Sequence, residues 1–188
     1  SRMKQVKYDL VLISATGFTG KLVAEYIARE YGVKNKNFVW AIAGRNQNKL
    51  NHLKNHLKNI DPQAQDLPIL LADNHDKNSL DSITSVSREI ISTVGPYLKY
   101  GKKLVESCAS NGTDYCDLTG EVPFIRESID SYNRIAQDNN CRIIHSCGFD
   151  SIPSDIGVLM LQKEAIKRYG EPFNRVKLYA TSMKGGLS

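Results

Sequence analysis

The chain has 188 residues, 41% of them hydrophobic, and a formal net charge of +5. That size and apolar content suit one globular domain and the start of a second, while no apolar run approaches the roughly 20 residues of a membrane span and no signal peptide opens the chain. Its 25 lysines and arginines are interspersed with 20 acidic residues instead of being gathered with aromatics, which argues against a nucleic-acid surface.

Tyr8 to Ser14, nearly continuous in Leu, Val and Ile, reads as a strand buried on both faces of a parallel sheet. Gly17 to Tyr31 carries Leu22, Val23, Tyr26 and Ile27 at helical spacing, with Gly32 as a stop. Phe38 to Ala43 is a second strand, ending in Gly44-Arg45. Asn46 caps a helix whose Leu50, Leu53 and Leu57 share one side. After a turn at Asp61-Pro62-Gln63 come a third strand, Leu67 to Ala72, and a short helix, Asn78 to Ser87.

Glu89 to Val94 is the fourth strand, halted by Gly95-Pro96, and Tyr100 to Ser110 is helical until Asn111-Gly112. Asp114 to Leu118 is the fifth strand, and Pro123 to Asn139 a helix expected to turn Phe124, Ile125, Ile129, Tyr132 and Ile135 inward. Cys141 to Ser146 is the sixth strand, followed by an amphipathic helix, Ser154 to Tyr169. A further strand starts at Arg175, and the glycine-rich stretch from Lys184 to Ser188 reads as an interrupted protein.

Six strands alternating with helices specify an α/β fold, a doubly wound parallel sheet of the NAD(P)-binding Rossmann type. Right-handed crossovers bring every strand's C-terminal end to one edge, where ligands bind near the switch point. The residues just after each strand are therefore the candidates. The first corner is Ser14-Ala15-Thr16-Gly17-Phe18-Thr19-Gly20, which can cradle a pyrophosphate with backbone amides and a helix N-terminus. Its glycine fingerprint is incomplete. The first slot falls on Ala15 or Ser14, where a small residue serves if its φ is negative. Gly17 and Gly20 keep the slots for phosphate approach and for helix packing.

Gly44-Arg45-Asn46 lacks the carboxylate that would bind a ribose 2′-hydroxyl. Arg45 suits a 2′-phosphate, with Lys49 one turn on, so NADP is favoured over NAD. Asp73 is placed either to accept from an adenine amino group or to cap the next turn. Val94, Gly95, Pro96 and Tyr97 are placed to shape the ribose and nicotinamide end.

Cys108, Cys116, Cys141 and Cys147 form no Cys-x-x-Cys pair and read as buried reduced thiols of a cytoplasmic protein; no metal site is expected. His145 reads as a core histidine, and no Ser-His-Asp or Cys-His set follows from spacing. The Tyr-x-x-x-Lys pair of short-chain reductases is missing. No catalytic residue is assigned.

Five motifs stand in the order seen in saccharopine dehydrogenase-like oxidoreductases: residues 14–20, 43–45, 93–97, 117–121 and 148–155. The chain resembles that family, near its trans-acting enoyl reductase branch, with Ser14 where members usually have Gly. The resemblance implies a Rossmann domain over residues 4–152. A linking helix and the start of an α+β substrate domain would follow over 153–188. The expected activity is NADP-dependent hydride transfer to or from an organic substrate, enoyl or acyl thioesters among the candidates. A small-molecule or acyl substrate is the expected partner, and a homodimer is compatible with it. A cofactor-sensing or assembly protein without turnover is the alternative, because fold does not fix function.

Overall fold

The structure is a computed structural model, and it describes residues 4–93, 97–117 and 122–145. The strands are β1 (Tyr8–Ile13), β2 (Trp40–Gly44), β3 (Ile69–Leu71), β4 (Ser87–Ser92), β5 (Asp114–Asp117) and β6 (Ile143–His145). The helices are α1 (Phe18–Tyr31), α2 (Gln47–Leu57), α3 (Lys77–Thr84), α4 (Tyr97–Tyr100), α5 (Lys102–Asn111) and α6 (Val122–Asp138), with a 3₁₀ turn over Pro62–Asp66. The six strands form one sheet in the order β3-β2-β1-β4-β5-β6, every pair parallel. This is the doubly wound arrangement, with its switch point between β1 and β4.

Alternation along β1 divides the core. Leu10 and Leu12 join Trp40, Ile42, Val23, Ile27, Leu50 and Leu57 on the side of α1 and α2. Val11 and Ile13 join Ala41, Leu80, Ile90, Leu104, Val105 and Phe124 on the side of α3, α5 and α6. These residues are almost wholly withdrawn from water, and each such Leu, Ile or Phe contributes about 2 kcal/mol through burial. Caps set the ends. Asn46 accepts from the Lys49 amide, Asp76 accepts from Asn78 and Ser79, and α5 ends at Gly112 with φ +64.

Several boundaries differ from the sequence expectation. The helix expected to run to Ser87 ends at Thr84, and Ser87 opens β4 opposite Tyr8, so β4 begins and ends two residues early. Parallel pairing with β1 overrides local propensity there. β3 has three residues because Leu67 still closes the 3₁₀ turn and Pro68 has no N–H for a ladder. Ile129 and Ile135 on α6 face solvent, 53% and 39% exposed. The inward stripe runs through Phe124, Ser128, Tyr132 and Ala136 at a strict four-residue step. The helix Ser154 to Tyr169, the strand from Arg175 and the expected boundary at residue 152 lie outside the described residues.

No described helix is long and apolar enough to cross a membrane. Cys108, Cys116 and Cys141 are buried; Cys147 lies outside the described residues.

Candidate cofactor-binding site

A crevice of about 410 Å³ opens at the C-terminal ends of β1–β4. Ser14, Thr16, Gly17, Gly44, Arg45, Lys49, Asp73, Asn74, Thr93 and Tyr100 are among its lining residues. A larger cavity of about 680 Å³ lies off the sheet edge, between α1 and α2, and shares Thr16 and Lys49 with it. The crevice at the strand ends has the geometry for a nucleotide, because the switch point and Gly17, the N-cap of α1, both face it.

Three residues build the corner. Ser14 donates its amide to the Ala43 carbonyl at 2.9 Å, tying the turn to β2. Gly20 sits on the turn itself. A Cβ there would lie 2.6 Å from the Ala15 carbonyl oxygen and 2.7 Å from that of Ser14, so only glycine lets α1 pack this close. Gly17 differs. Its φ of −74° suits any residue, and a Cβ would meet nothing within 4 Å. Nothing in the packing of the described residues requires glycine there. The open space is what a ligand approaching the backbone needs.

Gly17 caps α1 without a side-chain hydrogen bond, and no acidic residue stands in the first turn. The positive end of the helix therefore faces the crevice uncompensated. Ser14 corrects the sequence expectation. Its φ is +63°, not negative, so the first fingerprint slot is Ser14 and not Ala15, and it lies in the left-handed region that favours glycine. Ala15 is buried, Thr16 lines the crevice, and Phe18 is 75% exposed.

At the end of β2, Arg45 is exposed and lines the crevice, with no ion-pair partner among the described residues. No carboxylate follows β2 before α2 begins. Asp73 takes the local role weighed for it: its Oδ1 accepts the His75 amide at 2.9 Å, though it also lines the crevice. Val94, Gly95 and Pro96 lie outside the described residues, and Tyr97 begins α4 with its side chain outside them.

Sequence reasoning passed over Asn74, His75, Thr93 and Tyr100 as site residues. Thr93 Oγ1 donates to the Ser14 carbonyl at 2.8 Å. Asn74 Nδ2 lies 3.5 Å from Ser14 Oγ, and Asn74 Oδ1 is buried without a partner among the described residues. His75 meets Tyr100 edge to face at 5.4 Å, and the Lys103 ammonium donates to the His75 carbonyl at 2.7 Å. The signal for Asn74, His75 and Thr93 was position, just after the end of β3 or β4, whereas Tyr100 closes α4.

At the ends of β5 and β6, Asp117 Oδ2 accepts from the Tyr115 hydroxyl at 2.6 Å and pairs with His145 Nδ1 at 2.7 Å. His145 Nε2 meets Ser128 Oγ at 2.9 Å. Ser, His and Asp thus meet where spacing gave no hint of it, but Asp117, His145 and Ser128 are all buried. The set pins α6 to the sheet and offers no open nucleophile, as expected of a satisfied core histidine. Among the described residues no cluster of three His, Cys, Asp or Glu could hold a metal.

Comparison with known proteins agrees with this fold. A family model described as the saccharopine dehydrogenase NADP-binding domain matches residues 10–144. A Mycobacterium tuberculosis protein provisionally named a trans-acting enoyl reductase is 42% identical over 182 residues, 97% of this chain and 42% of its own length. The trans-acting enoyl reductase of Mycobacterium leprae is 42% identical over 166 residues, 88% of this chain and 38% of its own. The chain therefore spans about two-fifths of the length of these relatives. Saccharopine dehydrogenase (L-Glu forming) from Saccharomyces cerevisiae shares the fold, with a TM-score of 0.56 at 20% identity over 86% of this chain and 32% of that one.

Proposed function

The chain belongs to the family of saccharopine dehydrogenase NADP-binding domains, and from that premise we propose that it holds the cofactor of an NADP-dependent oxidoreductase. The reaction is hydride transfer to or from an organic substrate. The observation that carries this reading is the open space over Gly17 at an uncapped helix start.

The crevice fits the cofactor in three respects. The first-turn amides of α1 and the bare Gly17 backbone suit a diphosphate. Arg45, with Lys49 beside it, suits a 2′-phosphate through its planar fork, and no carboxylate after β2 repels that charge. Ser14, Thr16, Phe18, Thr19 and Gly20 form the corner around them, and Asp73 borders the adenine side. Val94, Gly95, Pro96 and Tyr97 are proposed for the nicotinamide end. When bound, the cofactor gives or takes the hydride. The chain supplies position and a field that favours the phosphates.

For the whole protein, we propose a conjugated acyl substrate, in keeping with relatives named enoyl reductases. The cofactor domain is proposed to end near residue 152, with the following segment leading into a substrate domain. Oxidation of NADPH by the full-length protein against a panel of 2-enoyl thioesters, imines and ketones tests this. Turnover with an enoyl thioester is expected. Tight NADPH binding with no turnover across the panel would favour the cofactor-sensing alternative.

A further inference from the structure

Among the described non-glycine residues, only Ser14 and Asn140 have a positive φ. Asn140 sits in the turn after α6, and asparagine tolerates that region. Serine gains no such tolerance, and strained backbone tends to collect at functional sites. The main chain of Ser14 is fully engaged. Its N–H donates to Ala43 and its carbonyl accepts from Thr93.

The Ser14 side chain is nearly unengaged. Asn74 Nδ2 approaches its Oγ at 3.5 Å, so the hydroxyl acts there as an acceptor, and its proton has no acceptor among the described residues. Asn74 Oδ1 is buried without a partner among the described residues. Both residues line the crevice, with Gly17, Arg45 and Thr93. A hydroxyl with an unused proton on the lining of a binding crevice is an arrangement that a ligand completes.

We infer that the Ser14 hydroxyl donates a hydrogen bond to a phosphoryl oxygen of the bound dinucleotide, with Asn74 holding the hydroxyl in the donating rotamer. The inference rests on the dinucleotide reading above. Glycine, usual in this slot by resemblance, makes the turn without strain but brings no donor. Serine retains strain in the empty turn and gains a charge-assisted bond when the phosphate arrives. Ser14 is thus a binding residue in its own right and not a tolerated substitution.

The experiment titrates NADPH into the full chain, into Ser14→Gly and into Ser14→Ala, and melts each protein without ligand. Ser14→Gly should melt no lower than the parent, because the left-handed turn is relieved. Both variants should bind NADPH about tenfold more weakly, the loss expected for one hydrogen bond to a charged group. Opposite movement of stability and affinity in the glycine variant separates a ligand contact from a folding defect. If either variant binds NADPH as tightly as the parent, the hydroxyl makes no such bond. If the parent itself does not bind NADPH, both the inference and the dinucleotide reading fall.

Discussion

The hydroxyl of Thr93 donates to the carbonyl of Ser14 at 2.8 Å, across 79 residues of sequence. It joins the end of β4 to the end of β1 at the switch point, where the two halves of the sheet diverge. The same hydroxyl lies 3.3 Å from the Ile13 carbonyl. A single side chain thus holds the turn that presents Gly17 to the crevice.

Thr93→Val keeps the shape and removes the donor. Stability should fall by about 1 kcal/mol, read from chemical denaturation, and NADPH affinity should fall with it. Thr93→Ser should restore both. A valine variant that binds NADPH as well as the parent would leave this link without a role in the site.

Gly20→Ala places a methyl group within 2.7 Å of two backbone carbonyl oxygens. Backbone cannot swing aside as a flexible side chain can, so α1 must lift from the turn. The expected loss is about 2–3 kcal/mol, measured as a lowered denaturation midpoint. An unchanged midpoint would mean that the helix is not seated this closely.

Arg45→Ala should weaken NADPH by about 2 kcal/mol and leave NADH nearly unchanged, because only the former carries a phosphate for the guanidinium. Calorimetric titration with both coenzymes reads the difference. Equal weakening of the two would remove Arg45 from 2′-phosphate recognition.

Burial pushes the Cys108 thiol well above its ordinary range, and neighbouring Cys141 adds to the shift. A raised folded-state value means that the unfolded thiol ionises first. Its contribution to stability is therefore complete below the ordinary thiol pKa and is lost as pH rises above it. Peptide mapping after treatment with iodoacetamide in mildly alkaline buffer should find Cys108 unmodified in the native chain and modified on unfolding. Fast native modification would contradict the buried placement.

Much of the fold is written locally. Glycine, proline and asparagine mark the element ends, apolar runs mark the buried strands, and alternation of the two element types dictates the parallel sheet. What was not legible depends on distant partners. Ser14 adopts a positive φ because Ala43 and Thr93 hold its main chain, and no spacing within residues 14–20 announces that. Ile129 and Ile135 looked like core because they are apolar. The polar Ser128 takes the inward place since it meets His145. The meeting of Asp117, His145 and Ser128 likewise needed the sheet order, which brings β5 and β6 side by side.

The central claim is that the β1–α1 corner grips the diphosphate of NADP, and Gly17 tests it most directly. A Cβ at that position meets nothing within 4 Å among the described residues, so Gly17→Val should fold, with a stability change of about 1 kcal/mol for the altered N-cap. The branched side chain would occupy the space above the first-turn amides. Titration of NADPH into parent and variant, beside their melting curves, should show binding lost in a protein that still folds. A folded Gly17→Val variant that binds NADPH like the parent would contradict the account.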